Sequence, residues 1–342
     1  MKENTLKLTE TIDKKKWSEF VYNHPHGTIF QIPEMEEVYA RTKNHEPVSL
    51  AVINDDTGEI FALLLAVVLK EMGGFLGSFS ARSIIHGGPL FVEGERGTLA
   101  LKNLMEYYNE VAGKKALYSE IRNIDDTSNF KPLFEDSGYN FEEHFNFLID
   151  LKKSKEEVLK QIHRSMRKNI KKSQNKGVTI EEIKDRSYIK TYYEFLSDVY
   201  GYAKVPLADI TLFEAIYDVL VPAGMAKFHF AKHDGKYIGA RSTFIYKKLI
   251  YAHHVGVPRA YRNLYPNALL NYHIITWGQD NGYHTFDFGG AGNPKKEYGV
   301  REFKKQFGGD LVNFGRYKNL HHPLKIRIAE KGFEVYKKLK HV

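Results

Sequence analysis

A cationic and aromatic segment near the end of the chain contains the residues best suited by type to do chemistry. It runs from residue 287 to residue 311 and contains two glycine pairs, Gly289–Gly290 and Gly308–Gly309. Between the pairs lie five cations and three aromatic rings: Lys295, Lys296, Arg301, Lys304, Lys305, Tyr298, Phe303 and Phe307. Cationic side chains attract anionic groups, and the whole chain has a net charge of +8. We therefore expect an anionic partner, which could be a nucleic acid, a nucleotide substrate or an acidic lipid surface.

The composition removes several other chemistries. The 342 residues include no cysteine, which excludes disulfides, thiolate metal sites and a cysteine nucleophile. The sequence has no H-E-x-x-H, G-x-S-x-G or G-x-G-x-x-G motif, and "GGAGNPKK" lacks the spacing of a phosphate loop. We expect no metal and no cofactor.

The chain carries no obvious signal for export or membrane insertion. Its first 17 residues are polar throughout, unlike a secretory signal. The most apolar run, Ile60 to Leu69, is about half the roughly 20 residues that span a bilayer, so we interpret it as a buried strand. We expect a cytoplasmic protein with no transmembrane segment.

Two hairpins are predicted from turn chemistry. Residues 48–53 and 60–69 flank the turn "DDTGE", and residues 227–246 contain the turn "HDGK". The strand "KKLIYA" precedes His253 and His254, which point to opposite faces if the strand continues. Either histidine could be a general base or a packed core residue.

An internal repeat predicts that one unit is present twice. Residues 104–121 align with residues 271–288, which places Gly113 on Gly282 and Ser119 on Asp287. Residues 132–141 align with residues 302–311, which places Phe134 on Lys304. We predict two copies of an α+β unit, each with a hairpin, a helix ending in glycine, a strand, a second helix and a closing strand. The polar residues lie in the second copy.

A basic segment separates the two copies. Residues 152–176 include ten lysines or arginines and two acidic residues, and Ser154 and Gly177 have the character of a helix start and stop. Val158, Ile162, Met166 and Ile170 form an apolar stripe at helical spacing. We predict a basic helix over residues 151–177 that is either a solvated linker or a phosphate-contacting element.

Three stretches together resemble a known family. "RSMRKNIKKSQNKGV", "YPNALLNYHIITWGQDNGYHTFDFGG" and "GVREFKKQFGGDLV" are similar to the Fem aminoacyltransferases, and "TIFQIPEMEEVYA" resembles their opening. The resemblance implies two tandem GNAT-like domains, that is, the acyl-CoA N-acyltransferase fold, joined by the basic helix. It places the first domain at residues 1–150 and the second at residues 151–317. A C-terminal helix over residues 318–342 would pack back on the first domain.

The family moves an amino acid from its tRNA ester to an amine of a peptidoglycan precursor. By resemblance, Lys304 is the cation beside the developing charge or beside the terminal phosphate of the donor, and Phe303 is its partner in substrate binding. Asp287 accepts the proton of the amine or orients the acceptor. The alternatives are an exposed helix lysine for Lys304 and a turn-capping carboxylate for Asp287. Further candidates for substrate binding are Tyr251, His254, Arg259 and Arg262. Arg41, Arg164 and Arg167 could hold the diphosphate of the acceptor. The implied partners are an aminoacyl-tRNA donor, a sugar-nucleotide or lipid-linked peptide acceptor, and a membrane surface contacted peripherally.

One difference from the GNAT sequence pattern bears on the identity of the donor. GNAT enzymes that use acetyl-coenzyme A grip its pyrophosphate with a glycine-containing turn at a helix N-terminus, whereas this chain has no glycine between Val257 and Leu270 and has Pro266 there. This favours a tRNA ester as donor. An acyl-CoA thioester remains the second hypothesis because Arg259 and Arg262 could bind phosphate, and a non-catalytic RNA-binding protein is the third. The identities of the amino acid and the acceptor, and the oligomeric state, stay open.

Overall fold

The computed structural model describes residues 6–70 and 81–327 and divides the chain into two compact units. Unit 1 comprises the residues up to Glu142 together with those from Phe314 onward, and unit 2 comprises Glu143–Asn313. The predicted boundaries at residues 150 and 317 are displaced, because a strand at each boundary joins the sheet of the other half of the sequence.

Unit 1 is a mixed sheet with helices against it. Its strands are β1 Leu6–Thr9, β2 His45–Asn54, β3 Ile60–Leu69, β4 Arg82–His86, β5 Leu90–Phe91, β6 Tyr118–Arg122, β7 Asn140–Glu142 and, from the far end of the chain, β15 Arg316–Leu320. Its helices are α1 Lys14–Asn23, α2 Pro33–Ala40, α3 Glu95–Lys115 and α4 Lys131–Asp136. The sheet order is β1-β2-β3-β4-β6-β15-β7, with β5 paired to β3, and only β4 and β6 run parallel.

Unit 2 repeats this arrangement. Its strands are β8 Asn146–Asp150, β9 Thr179–Glu182, β10 Ala226–His233, β11 Lys236–Tyr246, β12 Leu249–Gly256, β13 Thr285–Gly290 and β14 Asp310–Val312. Its helices are α5 Lys155–Gln161, α6 Arg164–Asn175, α7 Tyr188–Ala203, α8 Ile210–Leu220, α9 Pro266–Asp280 and α10 Gly299–Lys305. The sheet order β9-β10-β11-β12-β13-β8-β14 matches unit 1 strand for strand, again with one parallel pair, β12 and β13. The predicted α+β duplication is therefore confirmed.

The structure contains both predicted hairpins and buries the predicted apolar stripe. The first hairpin pairs Ile53 with Ile60, and the second pairs His233 with Lys236 around two residues of positive φ, Asp234 and Gly235. The apolar stripe of the basic segment, from Val158 to Ile170, is buried in the core of unit 2.

Three predicted elements differ from the structure. The basic helix over residues 151–177 is two helices, α5 and α6, because the chain becomes extended at Ile162 and His163. Gly113 does not end its helix, since α3 continues to Lys115, whereas Gly282 follows α9 with φ +69° as predicted. Residues 318–320 are strand rather than helix, a helical turn begins only after His322, and the rest of the predicted C-terminal helix lies outside the described residues.

Each unit has its own apolar core between helix and sheet. Tyr108 of α3, Phe134 of α4 and Tyr317 of β15 are central in unit 1. Ile274 of α9 and Phe286 of β13 are central in unit 2. No helix within residues 6–70 and 81–327 is both long and apolar enough to cross a membrane.

Candidate active site

The parallel strands β12 and β13 of unit 2 separate part of the way along. They pair from Leu249 and Thr285 to Tyr251 and Asp287, and the pairing stops there although β12 continues to Gly256 and β13 to Gly290. Two strands that diverge leave carbonyl groups without ladder partners on their facing edges. The site is built in this gap.

Lys304 fills the hydrogen-bonding gap on β13. Its ammonium nitrogen, at the end of α10, donates to the carbonyl oxygens of Phe288 at 2.6 Å, Gly289 at 3.1 Å and Gly290 at 2.8 Å. A lysine ammonium has three N–H donors, so three carbonyls match its full capacity. A positive charge is thereby fixed at the point where the strands open.

Asp287 lies behind this carbonyl row. It is fully buried, and one carboxylate oxygen accepts from the backbone N–H of Gly289 at 2.7 Å while Asn146 of β8 approaches both oxygens at 3.4 Å. Gly289 has φ +68°, and the β8–β13 register shifts between Asp287 and Gly290. Asp287 therefore holds the bulge that presents the three carbonyls to Lys304.

Burial shifts the pKa values of both Asp287 and Lys304 toward 7. Desolvation raises the pKa of Asp287 to about 6, against the opposing influence of the Gly289 hydrogen bond and the Lys304 charge. Desolvation and the nearby Arg241 charge lower the pKa of Lys304 to about 7, while Asp287 opposes the shift. The two groups form a coupled pair whose charges depend on each other.

A cavity of about 1020 Å³ opens from the gap. Its wall is formed by residues 251–255 of β12, residues 288–290 of β13, residues around α10, and the ends of α6, α7 and α9. The lining includes the cations Arg241, Arg262 and Lys304, and none of the lining residues, all of which lie in unit 2, is acidic. The cavity is therefore a site for an uncharged or anionic ligand.

Five of the residues expected from sequence meet in this cavity. Phe303, Lys304, Tyr251, His254 and Arg262 all belong to its lining. Burial and the Arg241 charge lower the pKa of His254 to about 4, so its ring is neutral at pH 7 and a weak base.

The other expected residues lie elsewhere. Arg259 is outside the lining, and its guanidinium stacks 3.7 Å from the ring centroid of Tyr202. Arg167 donates to the carbonyls of Leu159 and Lys160, which end α5, at 3.2 and 3.4 Å.

Two arginines are surface residues. Arg164 is exposed at the first position of α6. Arg41 belongs to unit 1, where it forms an exposed ion pair with Glu37 one turn earlier in the helix. These two positions and the Arg167 position do not contribute to the cavity wall.

Sequence reasoning missed Arg241. It lies on β11 between Ala240 and Ser242, which are fully buried, and is itself 5% exposed. The sequence did contain a signal. Arg241 lies within "YIGARSTFIY", a strand of small and apolar residues of the kind that is buried on both faces, where an arginine is unusual.

The aligned positions of unit 1 do not carry this pair. The positions that match Lys304 and Asp287 are Phe134 and Ser119, which are 1% and 0% exposed. Ser119 accepts from Tyr108 at 3.2 Å and bonds His321 at 2.7 Å inside that core. Unit 1 does contain a cavity of about 510 Å³, lined by parts of α1, β3 and β5.

Comparison with known proteins agrees with the fold. A family model described as an acetyltransferase (GNAT) domain matches residues 160–305, which include all of the cavity lining except Gln306. The chain is 22% identical to the lipid II:glycine glycyltransferase of Staphylococcus saprophyticus, over 84% of this chain and 87% of that protein.

Solved structures share the tandem arrangement. FemX matches with a TM-score of 0.72 at 19% identity, over 94% of this chain and all of that chain. A tandem GNAT protein from the clavulanic acid pathway matches at 0.59 and 11% identity, over 93% and 99% of the two chains. L-PGS from Bacillus licheniformis matches at 0.58 and 14% identity, over 94% and 97%. With two units of this fold, the chain is an acyltransferase of tandem GNAT-like fold that is similar to the Fem proteins.

Proposed function

We propose that the chain transfers an aminoacyl group from its tRNA ester to an amine of a peptidoglycan precursor. The observation that carries this proposal is the unit 2 cavity, where the Lys304 ammonium is fixed on the carbonyls of a diverging strand and no acidic side chain lines the wall. The curated relative, named for glycine transfer to lipid II, supports this reaction and a lipid-linked acceptor.

The reaction needs placement and charge stabilisation rather than a covalent nucleophile. The neutral amine nitrogen of the acceptor attacks the ester carbonyl carbon, and its extra proton passes to the departing ribose oxygen as the C–N bond forms and the C–O bond breaks. The barrier falls if the two substrates are held in line and the oxyanion formed on attack faces positive charge.

Lys304 supplies that charge in the proposed mechanism. Its three N–H groups are engaged by Phe288, Gly289 and Gly290, so its contribution is a fixed positive charge at the cavity wall rather than a free donor. A charge in a largely desolvated wall acts more strongly than the same charge in water.

Asp287 acts as a positioning residue in this mechanism. It is fully buried and absent from the cavity lining, so an amine in the cavity does not reach its carboxylate. Its hydrogen bond to Gly289 sets the bulge, and its charge favours the protonated form of Lys304.

We assign donor binding to a surface formed by one tyrosine and two arginines. Arg259 and Arg262 lie over the exposed ring of Tyr202, at 3.7 and 5.9 Å from its centroid. Stacked guanidinium groups beside an exposed tyrosine suit the phosphates and bases of an RNA end. Arg164 and Arg41 are exposed, so we propose for them only long-range attraction of an anionic acceptor.

A thioester donor such as acyl-CoA is the second candidate, and the GNAT family match favours it. The helix that would grip pyrophosphate is α9, whose first residue is Pro266 and whose preceding residue, Tyr265, has φ +56° with no side-chain cap. A 3₁₀ turn from Arg259 to Leu264 leads into it. A proline at the first position removes one amide donor, so this helix start is a poor pyrophosphate site.

One incubation separates the candidates. The protein is mixed with a pool of aminoacyl-tRNAs or with acetyl-CoA, each with lipid-linked and sugar-nucleotide precursors, and the precursors are weighed by mass spectrometry. A mass gain of one amino acid residue with charged tRNA supports the proposal. An acetyl gain replaces it with the thioester reaction, and tight salt-dependent tRNA binding without any mass gain leaves RNA binding as the function.

A further inference from the structure

Arg241 is a buried cation that the mechanism above does not use. It is 5% exposed on β11 and pairs with Val255 of β12 on one side and His229 of β10 on the other. The β11–β12 register shifts between Arg241 and Thr243. The side chain belongs to the cavity lining, next to Tyr200 and His254 of the same lining.

No acidic group of the described chain neutralises Arg241. Within residues 6–70 and 81–327 it forms no ion pair, and its Nε atom has no hydrogen-bond partner. The groups whose fields reach it are the tyrosines Tyr192 and Tyr200, the neutral His254 and the cationic Lys304. Burial lowers the pKa of Arg241 to about 10, so the guanidinium is charged at neutral pH.

A buried unpaired charge is unfavourable, and it persists where a ligand completes the pair. Arg262, also in the lining, is exposed to solvent, and the Lys304 donors are occupied by carbonyls. Arg241 is therefore the lining cation that is desolvated and has no anionic partner. Its planar guanidinium group can donate to two oxygens of one anion.

We propose that Arg241 binds a phosphate group of a substrate inside the unit 2 cavity. The choice of phosphate rests on the proposed function, since both of its substrates carry phosphate: the donor in the diester next to its terminal adenosine and the acceptor in its diphosphate. The phosphate would anchor its substrate beside Lys304 and offset two neighbouring positive charges.

The test measures binding and stability on the full-length protein, without any transfer reaction. Adenosine monophosphate, inorganic pyrophosphate and acetate are titrated by calorimetry at constant ionic strength against the parent, Arg241→Met and the control Arg262→Met. We expect Arg241→Met to weaken phosphate binding by at least tenfold and Arg262→Met to weaken it less. Tighter binding of adenosine monophosphate assigns the site to the donor, and tighter binding of pyrophosphate assigns it to the acceptor.

The melting temperature of the ligand-free protein tests independently whether the Arg241 charge is unpaired. Replacing an unpaired buried guanidinium with an apolar side chain of similar length removes a desolvated charge, so Arg241→Met should melt higher than the parent. Three results would overturn the proposal: no phosphate binding by the parent, acetate binding as tight as phosphate binding, or phosphate binding unchanged in Arg241→Met. Phosphate binding that depends on Arg241 would stand even if aminoacyl transfer failed.

Discussion

The Lys304 ammonium has both a structural and an electrostatic role. Its ammonium replaces the missing strand partners of Phe288, Gly289 and Gly290, so the charge is held where the carbonyl geometry places it. The same contacts make the side chain part of the fold of β13. Loss of the lysine should therefore affect both the reaction and the local backbone.

Lys304→Met should reduce the rate of amide formation by roughly 10² to 10³, the range for losing one group that stabilises an oxyanion. The matched control is Lys305→Met, which removes an exposed lysine from the next position of α10. Single-turnover rates of the two variants at saturating substrate measure the difference. Equal rates in the two variants would remove Lys304 from the mechanism.

The pH profile provides a second prediction at this residue. The pKa of Lys304 is lowered from 10.5 to about 7, so the charge is lost as pH rises and the rate should fall above pH 7. Between pH 7 and 10.5 the unfolded chain keeps a lysine proton that the folded chain has released, so this group makes stability rise with pH there. Activity and stability should thus change in opposite directions.

Lys304→Arg separates that effect from the titration of the acceptor amine. A guanidinium stays charged far above pH 7, so any activity that this variant retains should persist to higher pH. Rates and urea midpoints are measured from pH 6 to pH 9.5. A decline at the same pH in the parent and in Lys304→Arg would assign it to another group.

The residues that sequence could identify were those with a distinctive neighbourhood. Phe303 and Lys304 were proposed because they lie in a cationic segment between glycine pairs and because that segment resembles the Fem aminoacyltransferases. Sequence left Asp287 open between a group that acts on the acceptor and a turn-capping carboxylate, because it does not reveal that the carboxylate accepts from the Gly289 N–H. Arg241 was missed because a strand pattern does not tell which face meets a cavity.

At the scale of elements, the bulge in β13 is the feature that shapes the site. Gly289 adopts φ +68°, and a Cβ there would lie 3.1 Å from the Tyr251 hydroxyl and 3.4 Å from the Ala252 carbonyl oxygen. Substitution at this position should therefore disturb the gap between β12 and β13 as well as strain the backbone.

Gly289→Ala should cost about 1 to 2 kcal/mol of stability from the left-handed backbone alone and should also slow transfer. Gly282→Ala is the matched control, since Gly282 has φ +69° with no atom within 4 Å of the added carbon. Urea unfolding and transfer rates are compared. If both variants transferred equally well, the bulge would have no part in catalysis.

Sequence predicted the elements whose signals are local. Both hairpins follow from turn residues within a few positions of their strands. The break between α5 and α6 was not predicted, because Ile162 keeps the apolar spacing of a continuous helix while the chain there is extended. The side chain of Arg167 in α6 donates to carbonyls at the end of α5 that this break leaves without helical partners.

At the scale of the whole molecule, each sheet is completed by a strand from across the sequence. β15, which follows unit 2 in the chain, pairs with β6 and β7 of unit 1, and β8, which follows unit 1, pairs with β13 and β14 of unit 2. Sequence periodicity does not specify partners so far apart, which is why the predicted boundaries were displaced.

This exchange predicts a remote effect on stability. Tyr317 of β15 is 1% exposed and packs its ring on Phe134 and Phe141 at 4.9 and 5.2 Å between centroids. Tyr317→Ala should cost about 3 to 5 kcal/mol, as buried aromatic truncations do. Hydrogen exchange should accelerate in β6 and β7 first, whereas acceleration confined to β13 would contradict the strand assignment.

The central claim is that the unit 2 cavity holds the activated donor, and covalent labelling tests it most directly. The probe is a photoreactive amide analogue of aminoacyl-adenosine, which does not hydrolyse, and the labelled peptides are identified by mass spectrometry. The account predicts label on residues 251–255, 288–290 and 298–306, suppressed by charged tRNA. Saturable label in the unit 1 cavity, around residues 16–26 and 58–60, would contradict it.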